Sequence, residues 1–135
     1  MKLKLIMLIA LIAGASQFTI AQEQKKEEVF KWYQVQEKAQ FPGGAAAFDQ
    51  YIIDNMKIPD KAYRKAKNGT ILVSFIVEKD GSITNVRITS KKAIGYGCEK
   101  AAINVIKKMP PWTPAMQQDA PCRMAFTKPI RLNFT

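Results

Sequence analysis

The clearest pattern of apolar and polar positions lies in residues 69–90, which read GTILVSFIVEKDGSITNVRITS. Near the start of this stretch every second residue is apolar, at Ile71, Val73, Phe75 and Val77. Successive side chains of a β-strand point to opposite faces of a sheet. The alternation therefore predicts a strand with one buried face.

A turn and a second strand are predicted to follow. Asp80-Gly81 suits a two-residue hairpin loop, in which both residues have positive φ angles. The next apolar residues are Ile83 and Val86, and this step of three residues breaks strict alternation. We therefore expect a β-bulge or a register change near Thr84-Asn85.

An amphipathic helix is predicted before the hairpin. It begins at Ala45, after the turn-forming residues 41–44, and it ends before Pro59 because the residue preceding a proline avoids the helical region. A short second helix is expected over residues 60–67. The apolar face of the first helix consists of Ala45, Phe48, Tyr51, Ile52 and Met56.

The main helix is predicted after the hairpin, from Cys98 to Met109, where Pro110-Pro111 ends it. Its apolar stripe consists of Cys98, Ala101, Ala102, Val105, Ile106 and Met109. The second cysteine, Cys122, starts the strand that is reached from the far end of this helix. At about 1.5 Å per residue the two ends lie on the order of 16 Å apart. A disulfide needs Cα atoms within about 7 Å, so we expect two unbonded, buried thiols.

Residues 122–134 alternate again and predict the terminal strand. Pro129 lies within it, and proline has no amide hydrogen, so we expect this strand to form an edge of the sheet. The predicted order is helix, strand, strand, helix, strand. It indicates an α+β two-layer sandwich, with a three-stranded antiparallel sheet centred on residues 69–77 and packed by two helices. Residues 29–35 are a possible extra N-terminal strand, and residues 115–120 are expected to form a polar loop.

The first 21 residues have the pattern of a signal peptide. Lys2 and Lys4 precede the apolar run 5–15, and Thr19-Ile20-Ala21 offers a cleavage site. We expect a leader or linker over residues 22–40 and one domain over residues 41–135. Export predicts a periplasmic protein. The alternative is an uncleaved leader that anchors the chain in the inner membrane, facing the periplasm.

Composition excludes several classes of function. The chain has no histidine and only two cysteines, so it lacks a Ser-His-Asp site and the usual zinc ligands. We predict no enzyme, no cofactor, no metal site and no small-molecule substrate. The net charge is +10, but the basic residues are scattered rather than interleaved with aromatic residues, so no nucleic acid is expected. They form either a solvated surface or a field that attracts an anionic partner.

The chain resembles the TonB C-terminal domain family, in its FPGG-containing periplasmic form, over residues 41–134. The residues that carry the resemblance are Phe41-Pro42-Gly43-Gly44, Asn55 to Pro59, the Gly-x-Ile-x-Val-x-Phe-x-Val pattern of residues 69–77, Asp80-Gly81, Met109-Pro110-x-Trp112-x-Pro114 and Pro129-Ile130. The resemblance implies a protein-binding module in TonB-dependent transmembrane transport. It implies that the module recognises the TonB box, a short peptide of outer-membrane transporters, by β-strand addition at its last strand.

By position, the resemblance implies a docking strand made of Arg123, Met124, Ala125, Phe126, Thr127, Lys128, Ile130, Arg131 and Leu132. Trp112 and Pro114 would brace the loop before this strand. For Phe41, Trp112 and Phe126 we expect core packing rather than contact with the partner. The chain departs from the family at Ile58-Pro59, where an aromatic residue is usual, and at Lys128-Pro129, where Leu-Pro is frequent.

The resemblance also implies partners and two alternatives. A full-length transducer or inner-membrane motor proteins are possible partners besides the transporters. In one alternative the chain is a structural envelope module whose sheet edge is capped by residues 29–35. In the other it is a membrane-anchored minimal energy transducer, which requires that the leader stays attached.

Overall fold

The structure, a computed structural model, describes residues 27–134. The predicted signal peptide and cleavage site lie outside the described residues. Among residues 27–134 no helix has the length and apolar character needed to cross a membrane. The helices and strands, in chain order, are β1 (Val29–Lys31), α1 (Ala45–Asn55), α2 (Asp60–Lys65), β2 (Gly69–Val77), β3 (Ile83–Ile88), α3 (Cys98–Lys107), β4 (Ala115–Gln117) and β5 (Ala120–Leu132).

The fold is α+β, as predicted, with a sheet of order β1-β5-β2-β3 and with β4 paired to β5. Strand β2 is central and antiparallel to both β3 and β5, which confirms the predicted core of the sheet. The expected strand count was too low. β1 adds to β5 in parallel and β4 forms an antiparallel hairpin with β5, so the sheet has five strands and is mixed.

The alternating residues of β2 form the centre of the core. Ile71, Val73, Phe75 and Val77 are each at most 1% exposed. Burial of an apolar side chain of this size stabilises a fold by about 1.5–3 kcal/mol. Helix α3 packs on β2 and β3 with its apolar stripe, and its buried residues are Cys98, Ala101, Ala102, Val105 and Ile106. The two predicted layers, helices on one face of a sheet, are therefore present.

The hairpin between β2 and β3 differs from the prediction. Asp80 does not have a positive φ angle; only Gly81 does, at 86°. The amide of Gly81 donates to the carbonyl of Glu78 and the amide of Glu78 donates to the carbonyl of Ser82, at 2.9 and 2.8 Å. This is a three-residue loop with glycine in the left-handed position, not a two-residue loop. The predicted bulge is confirmed, because the register shifts between Ser74 and Ile76 opposite Asn85, whose φ is 55°.

The segment before α1 pairs with the segment after α3. Residues 36–40 run antiparallel to residues 113–117, with bridges from Glu37 to Met116 and from Gln40 to Thr113. The predicted polar loop over 115–120 is therefore wrong in part, since residues 115–117 form β4. The predicted strand over 29–35 is shorter than expected, because residues 32–34 form a turn.

Both cysteines are buried and unbonded, as expected from the length of α3. Cys98 lies at the start of α3 and Cys122 lies at the start of the part of β5 that enters the core. Burial raises the pKa of each thiol, and the carboxylate of Glu99 raises that of Cys98 further. Neither thiol is therefore suited to act as a nucleophile at neutral pH.

Candidate functional site: the outer edge of strand β5

Strand β5 is paired on both sides over only part of its length. Strand β4 pairs with its first residues, 120–122. Strand β2 pairs with residues 124–132 on one side, and β1 pairs with residues 123–125 on the other side. Among residues 27–134 no strand lies beyond Ala125 on that side. We call residues 126–132 the open edge.

The hydrogen bond between Thr89 and Leu72 shows which backbone groups of the open edge face outward. The amide of Thr89, at the end of β3, donates to the carbonyl of Leu72 in β2 at 2.8 Å. Leu72 therefore faces β3, and its register partner Pro129 forms a pair without hydrogen bonds to β2. The backbone groups of Pro129 thus point away from β2. By alternation along the strand, those of Thr127 and Arg131 do too.

The open edge consequently presents two donors and three acceptors. Thr127 and Arg131 each present an N–H and a C=O, and Pro129 presents only its C=O because proline has no amide hydrogen. By the same alternation, the backbone groups of Arg123 and Ala125 also point outward. They face β1, which pairs with residues 123–125. The sheet therefore changes from a covered edge to an open edge between Ala125 and Thr127.

Helix α1 lies along the inner face of the open edge. The Phe126 ring contacts the Phe48 ring of α1, with centroids 6.2 Å apart. Lys128 also points toward α1, where its ammonium group pairs with Asp49 and lies 5.0 Å from the centre of the Phe48 ring. Ile53 follows Asp49 by one helical turn and is 73% exposed. This side of the open edge therefore combines an ion pair with an apolar surface.

The other face of the open edge is polar and more exposed. The hydroxyl of Thr127 lies 2.8 Å from the hydroxyl of Ser74, which in turn lies 3.1 Å from that of Thr89. Pro129 and Arg131 are both exposed on this face. The three hydroxyl groups connect β5, β2 and β3, so the open edge is held to the sheet by side chains as well as by the backbone.

The first three residues of the predicted docking strand, 123–125, pair with β1, so they lie outside the open edge. The outward backbone groups of Arg123 and Ala125 are paired with β1, and the side chain of Met124 is fully buried. The guanidinium of Arg123 donates to both carboxylate oxygens of Glu78, at 2.7 and 3.0 Å. This contact lowers the pKa of Glu78 below its ordinary value. Arg123 thus fixes the end of the sheet.

The remaining predicted residues lie on the open edge or support it. Phe126, Thr127, Lys128, Ile130, Arg131 and Leu132 all lie within the open edge, with Ile130 and Leu132 buried against the core. Trp112 does not reach the edge. It is buried, as Phe41 is, and its ring packs edge-on against Phe126 at 5.4 Å. Pro114 is half-buried and directly precedes β4.

One group of residues near the open edge was not anticipated from the sequence. A groove of about 570 Å³ lies where β1 ends and the open edge begins, and the rings of Trp32 and Tyr33 form one wall. The two rings pack edge to face with centroids 5.6 Å apart, and they are 54% and 61% exposed. Trp32 and Tyr33 lie in the turn that follows β1, so the alternation of a strand does not predict their exposure.

No metal site is present in the part of the chain that the structure describes. No group of three or more His, Cys, Asp or Glu side chains among residues 27–134 could hold a metal ion. Asp49, beside the open edge, is paired with Lys128. Glu78, beside the part of β5 that β1 covers, is paired with Arg123. What the site offers is a row of backbone donors and acceptors with an apolar wall at one end.

More than half of the chain matches a known protein family. Residues 54–134 match the family described as Gram-negative bacterial TonB protein C-terminal. The chain is also similar to the solution NMR structure of Helicobacter pylori TonB-CTD (residues 179–285), with a TM-score of 0.43 and 21% identity over 68% of this chain and 87% of that chain. No curated protein is significantly similar to the chain.

Domains of the matched family are non-catalytic interaction modules on the periplasmic side of Gram-negative cells. They engage outer-membrane receptors in TonB-dependent transport. The match spans more than half of the chain, and the chain therefore belongs to the family of TonB C-terminal domains.

Proposed function

We propose that the open edge of β5 binds a short extended segment of an outer-membrane transporter, the TonB box, by β-strand addition in the periplasm. The observation that carries this proposal is the row of outward backbone groups at Thr127, Pro129 and Arg131, which no other strand of residues 27–134 covers. Unpaired backbone groups at a sheet edge are a template for another extended chain. Family membership supports the class of partner.

The geometry limits the length and strength of the complex. The open edge of residues 126–132 spans about 20 Å at roughly 3.3 Å per residue, so it accommodates a peptide of about six to eight residues. Each backbone hydrogen bond contributes a net stabilisation of about 0.5–1.5 kcal/mol. The five outward groups alone therefore give weak binding, and contacts with side chains of the peptide must add to the affinity. Ile53 and Phe126 on the inner face are suited to contact alternate side chains of the peptide.

A titration of the domain with TonB-box-like peptides tests the proposal. We expect amide shifts in the NMR spectrum of the labelled protein at residues 126–131, with smaller shifts in α1 around Asp49 and Ile53. Binding at any other face, with residues 126–131 unmoved, would contradict the proposal.

Two N-methylated peptides give a sharper test, because they leave the protein unaltered. Methyl groups on every second amide block one edge of the peptide strand, and moving them by one residue blocks the other edge. We expect one of the two peptides to bind as the parent does and the other to lose binding. Equal binding of both would exclude backbone pairing.

A matched pair of substitutions tests the protein side. Thr127→Pro removes the outward donor of Thr127, whereas Thr127→Ala removes its hydroxyl and keeps the donor. Both lose the contact with Ser74, so the difference between them reports the N–H alone. We expect Thr127→Pro to weaken peptide binding by about tenfold relative to Thr127→Ala, in line with the loss of one or two hydrogen bonds. Equal affinities would argue against pairing at this residue.

A structural function of the N-terminal segment is a second proposal, which β1 supports. Residues 29–31 cover the outward groups of Arg123 and Ala125, as a permanent cap would. This cap ends at Lys31, so it leaves the open edge accessible. We therefore propose that residues 29–31 set the end of the binding site rather than close it. The anchored-transducer alternative depends on residues outside the described range.

A further inference from the structure

The groove at the end of β1 lies in line with any strand that pairs with the open edge. β1 occupies the outer side of β5 up to Ala125, and the chain then turns away over residues 32–34. A visiting strand on Thr127 to Arg131 would continue the line of β1. Its end nearest Thr127 would therefore meet the groove, which Thr127 itself lines.

The groove is lined mainly by apolar and aromatic residues. Ala39, Ala125 and Phe126 line it together with Trp32 and Tyr33 of the turn. Its volume of about 570 Å³ exceeds that of a single side chain. Exposed aromatic rings together with small apolar residues are the features of a pocket that buries an apolar side chain of a partner.

Two lysines give the groove a positive charge. The ammonium group of Lys38 lies 4.6 Å from the centre of the Trp32 ring, and that of Lys31 lies 5.8 Å from the centre of the Tyr33 ring. Among residues 27–134, no acidic side chain lines the groove. Neither lysine forms an ion pair with the described residues. A carboxylate at the entrance would therefore find two cations without a competing anion.

The turn that carries the rings is held in place by hydrogen bonds. The amide of Gln34 donates to the carbonyl of Lys31 at 2.9 Å, and the amide of Lys31 donates to the side-chain oxygen of Gln34 at 2.8 Å. Just after the turn, the chain is hydrogen-bonded to β4, because the amide of Gln36 donates to the carbonyl of Met116 at 3.0 Å. A preorganised wall loses little conformational entropy when a ligand binds.

We propose that this groove binds the end of the visiting peptide through one apolar side chain and a neighbouring carboxylate, and that it thereby selects among peptides that pair with the open edge. The proposal rests on the proposed function, since the peptide reaches the groove only when it pairs with β5. The apolar side chain enters between Trp32 and Phe126. The carboxylate lies at the entrance, near Lys31 and Lys38.

Capped eight-residue peptides with a common core test the proposal and also report the direction of the visiting strand. One peptide carries Leu-Asp at its N-terminal end, a second carries it at its C-terminal end, and a third carries Ala-Asn at both ends. We expect one of the two Leu-Asp peptides to bind at least about tenfold more tightly than the Ala-Asn peptide, which corresponds to burial of one leucine side chain. Equal binding of all three peptides would overturn the groove proposal while leaving the open edge intact. No binding of any peptide would instead overturn the proposed function.

Substitutions in the groove have a matched control elsewhere on the surface. Trp32→Ala and Tyr33→Ala are expected to abolish the preference for the favoured Leu-Asp peptide and to change binding of the Ala-Asn peptide less than about twofold, since they remove apolar contacts only. Tyr63→Ala is the control. Tyr63 is 60% exposed and packs edge to face against Phe134, so it resembles Tyr33 but lies away from the groove.

The charge of the groove is tested separately. Lys31→Gln with Lys38→Gln is expected to reduce the preference for Asp over Asn at the peptide end to less than about twofold and to retain the preference for Leu over Ala. Lys107→Gln with Lys108→Gln is the control, because both lysines are exposed at the end of helix α3 and lie outside the groove lining. A preference for Asp that survives the groove substitutions would exclude these two lysines as its cause.

Discussion

Gly81 shows how a single residue connects the central hairpin to the loop that carries Trp112. Its φ of 86° lies in the left-handed region, and a Cβ at this position would approach the carbonyl oxygen of Trp112 to 2.0 Å. The carbonyl of Gly81 also accepts a hydrogen bond of 2.8 Å from the amide of Trp112. Both the conformation and the close approach therefore require glycine.

The first prediction compares two glycines with similar backbone conformations. We expect Gly81→Ala to lower the free energy of unfolding by about 3 kcal/mol or more, because strain and a backbone clash add. Gly95 has a φ of 81°, but nothing lies within 4 Å of its Cβ position. Gly95→Ala should cost only the strain of the left-handed region, about 1 kcal/mol. Urea unfolding at 25 °C measures both, and equal losses would contradict the close approach to Trp112.

The ion pair between Arg123 and Glu78 gives a second prediction, which concerns pH. Hydrogen bonds from Arg123 hold the pKa of Glu78 below its ordinary value. A carboxylate with a lowered folded-state pKa stabilises the fold above its ordinary pKa of about 4.3, and this contribution is lost as the pH falls through the folded-state value. The pair therefore stabilises the domain at neutral pH and not in acid.

A double-mutant cycle of Glu78→Gln and Arg123→Gln measures this contribution. We expect a coupling energy of about 1 kcal/mol at pH 7, as for a two-bond contact of partly exposed charges, and a progressively smaller value as the pH falls through the lowered pKa of Glu78. Unfolding at each pH provides the four free energies. A coupling energy that stayed constant over this range would mean that the contact does not depend on the charge of Glu78.

At the scale of elements, β1 defines where the open edge begins. Phe30 pairs with Met124 in parallel, so its backbone groups reach the outward groups of Arg123 and Ala125. Its neighbour Val29 faces away from β5 by the alternation of backbone groups along a strand. The backbone of Phe30 is therefore hydrogen-bonded to β5, whereas that of Val29 is not.

The third prediction uses this difference. Phe30→Pro removes a ladder donor and is expected to speed amide hydrogen exchange at Ala125 by at least about tenfold, since it detaches β1. Val29→Pro should leave exchange at Ala125 nearly unchanged. In the Phe30→Pro variant, peptide-induced NMR shifts should extend from the open edge to residues 123–125. Unchanged exchange in both variants would show that β1 does not protect this part of β5.

The elements that were predictable are those whose pattern is long. Strand β2 and helix α3 have periodic apolar residues over nine and ten positions, and both lie where the sequence indicates. β1 and β4 have three residues each, too few to show a period. The parallel pairing of β1 also joins residues far apart in the chain, which no local pattern reveals.

Turn chemistry explains the remaining differences. Asp80-Gly81 was expected to form the two-residue loop, yet that type of connection lies between β4 and β5, at Gln118-Asp119, where both residues have positive φ angles of 50° and 61°. These residues carry no glycine, so the sequence gives little indication of a hairpin there. Strand β5 was predictable from its alternation. The point where its open edge begins was not predictable, because it depends on the pairing with β1.

At the scale of the whole molecule, charge is distributed unevenly. Where β2 begins, Lys65, Lys67 and Lys92 line a hollow of about 460 Å³ without an acidic residue. Where β2 ends, Glu78 pairs with Arg123, so much of the local charge is neutralised. The chain carries 21 basic and 11 acidic residues. Arg131 pairs with the second residue of β2, so it lies at the same end of the sheet as these three lysines.

The fourth prediction is that this field accelerates the binding of acidic peptides. Raising the salt concentration from about 50 to about 500 mM should slow the association of a peptide with an acidic end by roughly threefold to tenfold, because salt screens the attraction. The triple variant of Lys65, Lys67 and Lys92 to Gln should associate more slowly at low salt and dissociate at an unchanged rate. Stopped-flow measurements separate the two rates. Association independent of salt would mean that the basic residues serve solubility alone.

Pro129 has a consequence for the behaviour of many copies of the chain together. It occupies the middle of the three outward positions and supplies no donor there, so a strand laid on this edge meets a gap in the ladder. Lys128 adds an inward-pointing charge at the neighbouring position, where a second sheet would have to bury it. Both features disfavour growth of a cross-β stack from this edge. If the edge binds a short peptide as proposed, the same edge would therefore be a poor template for fibrils in a concentrated solution of the protein.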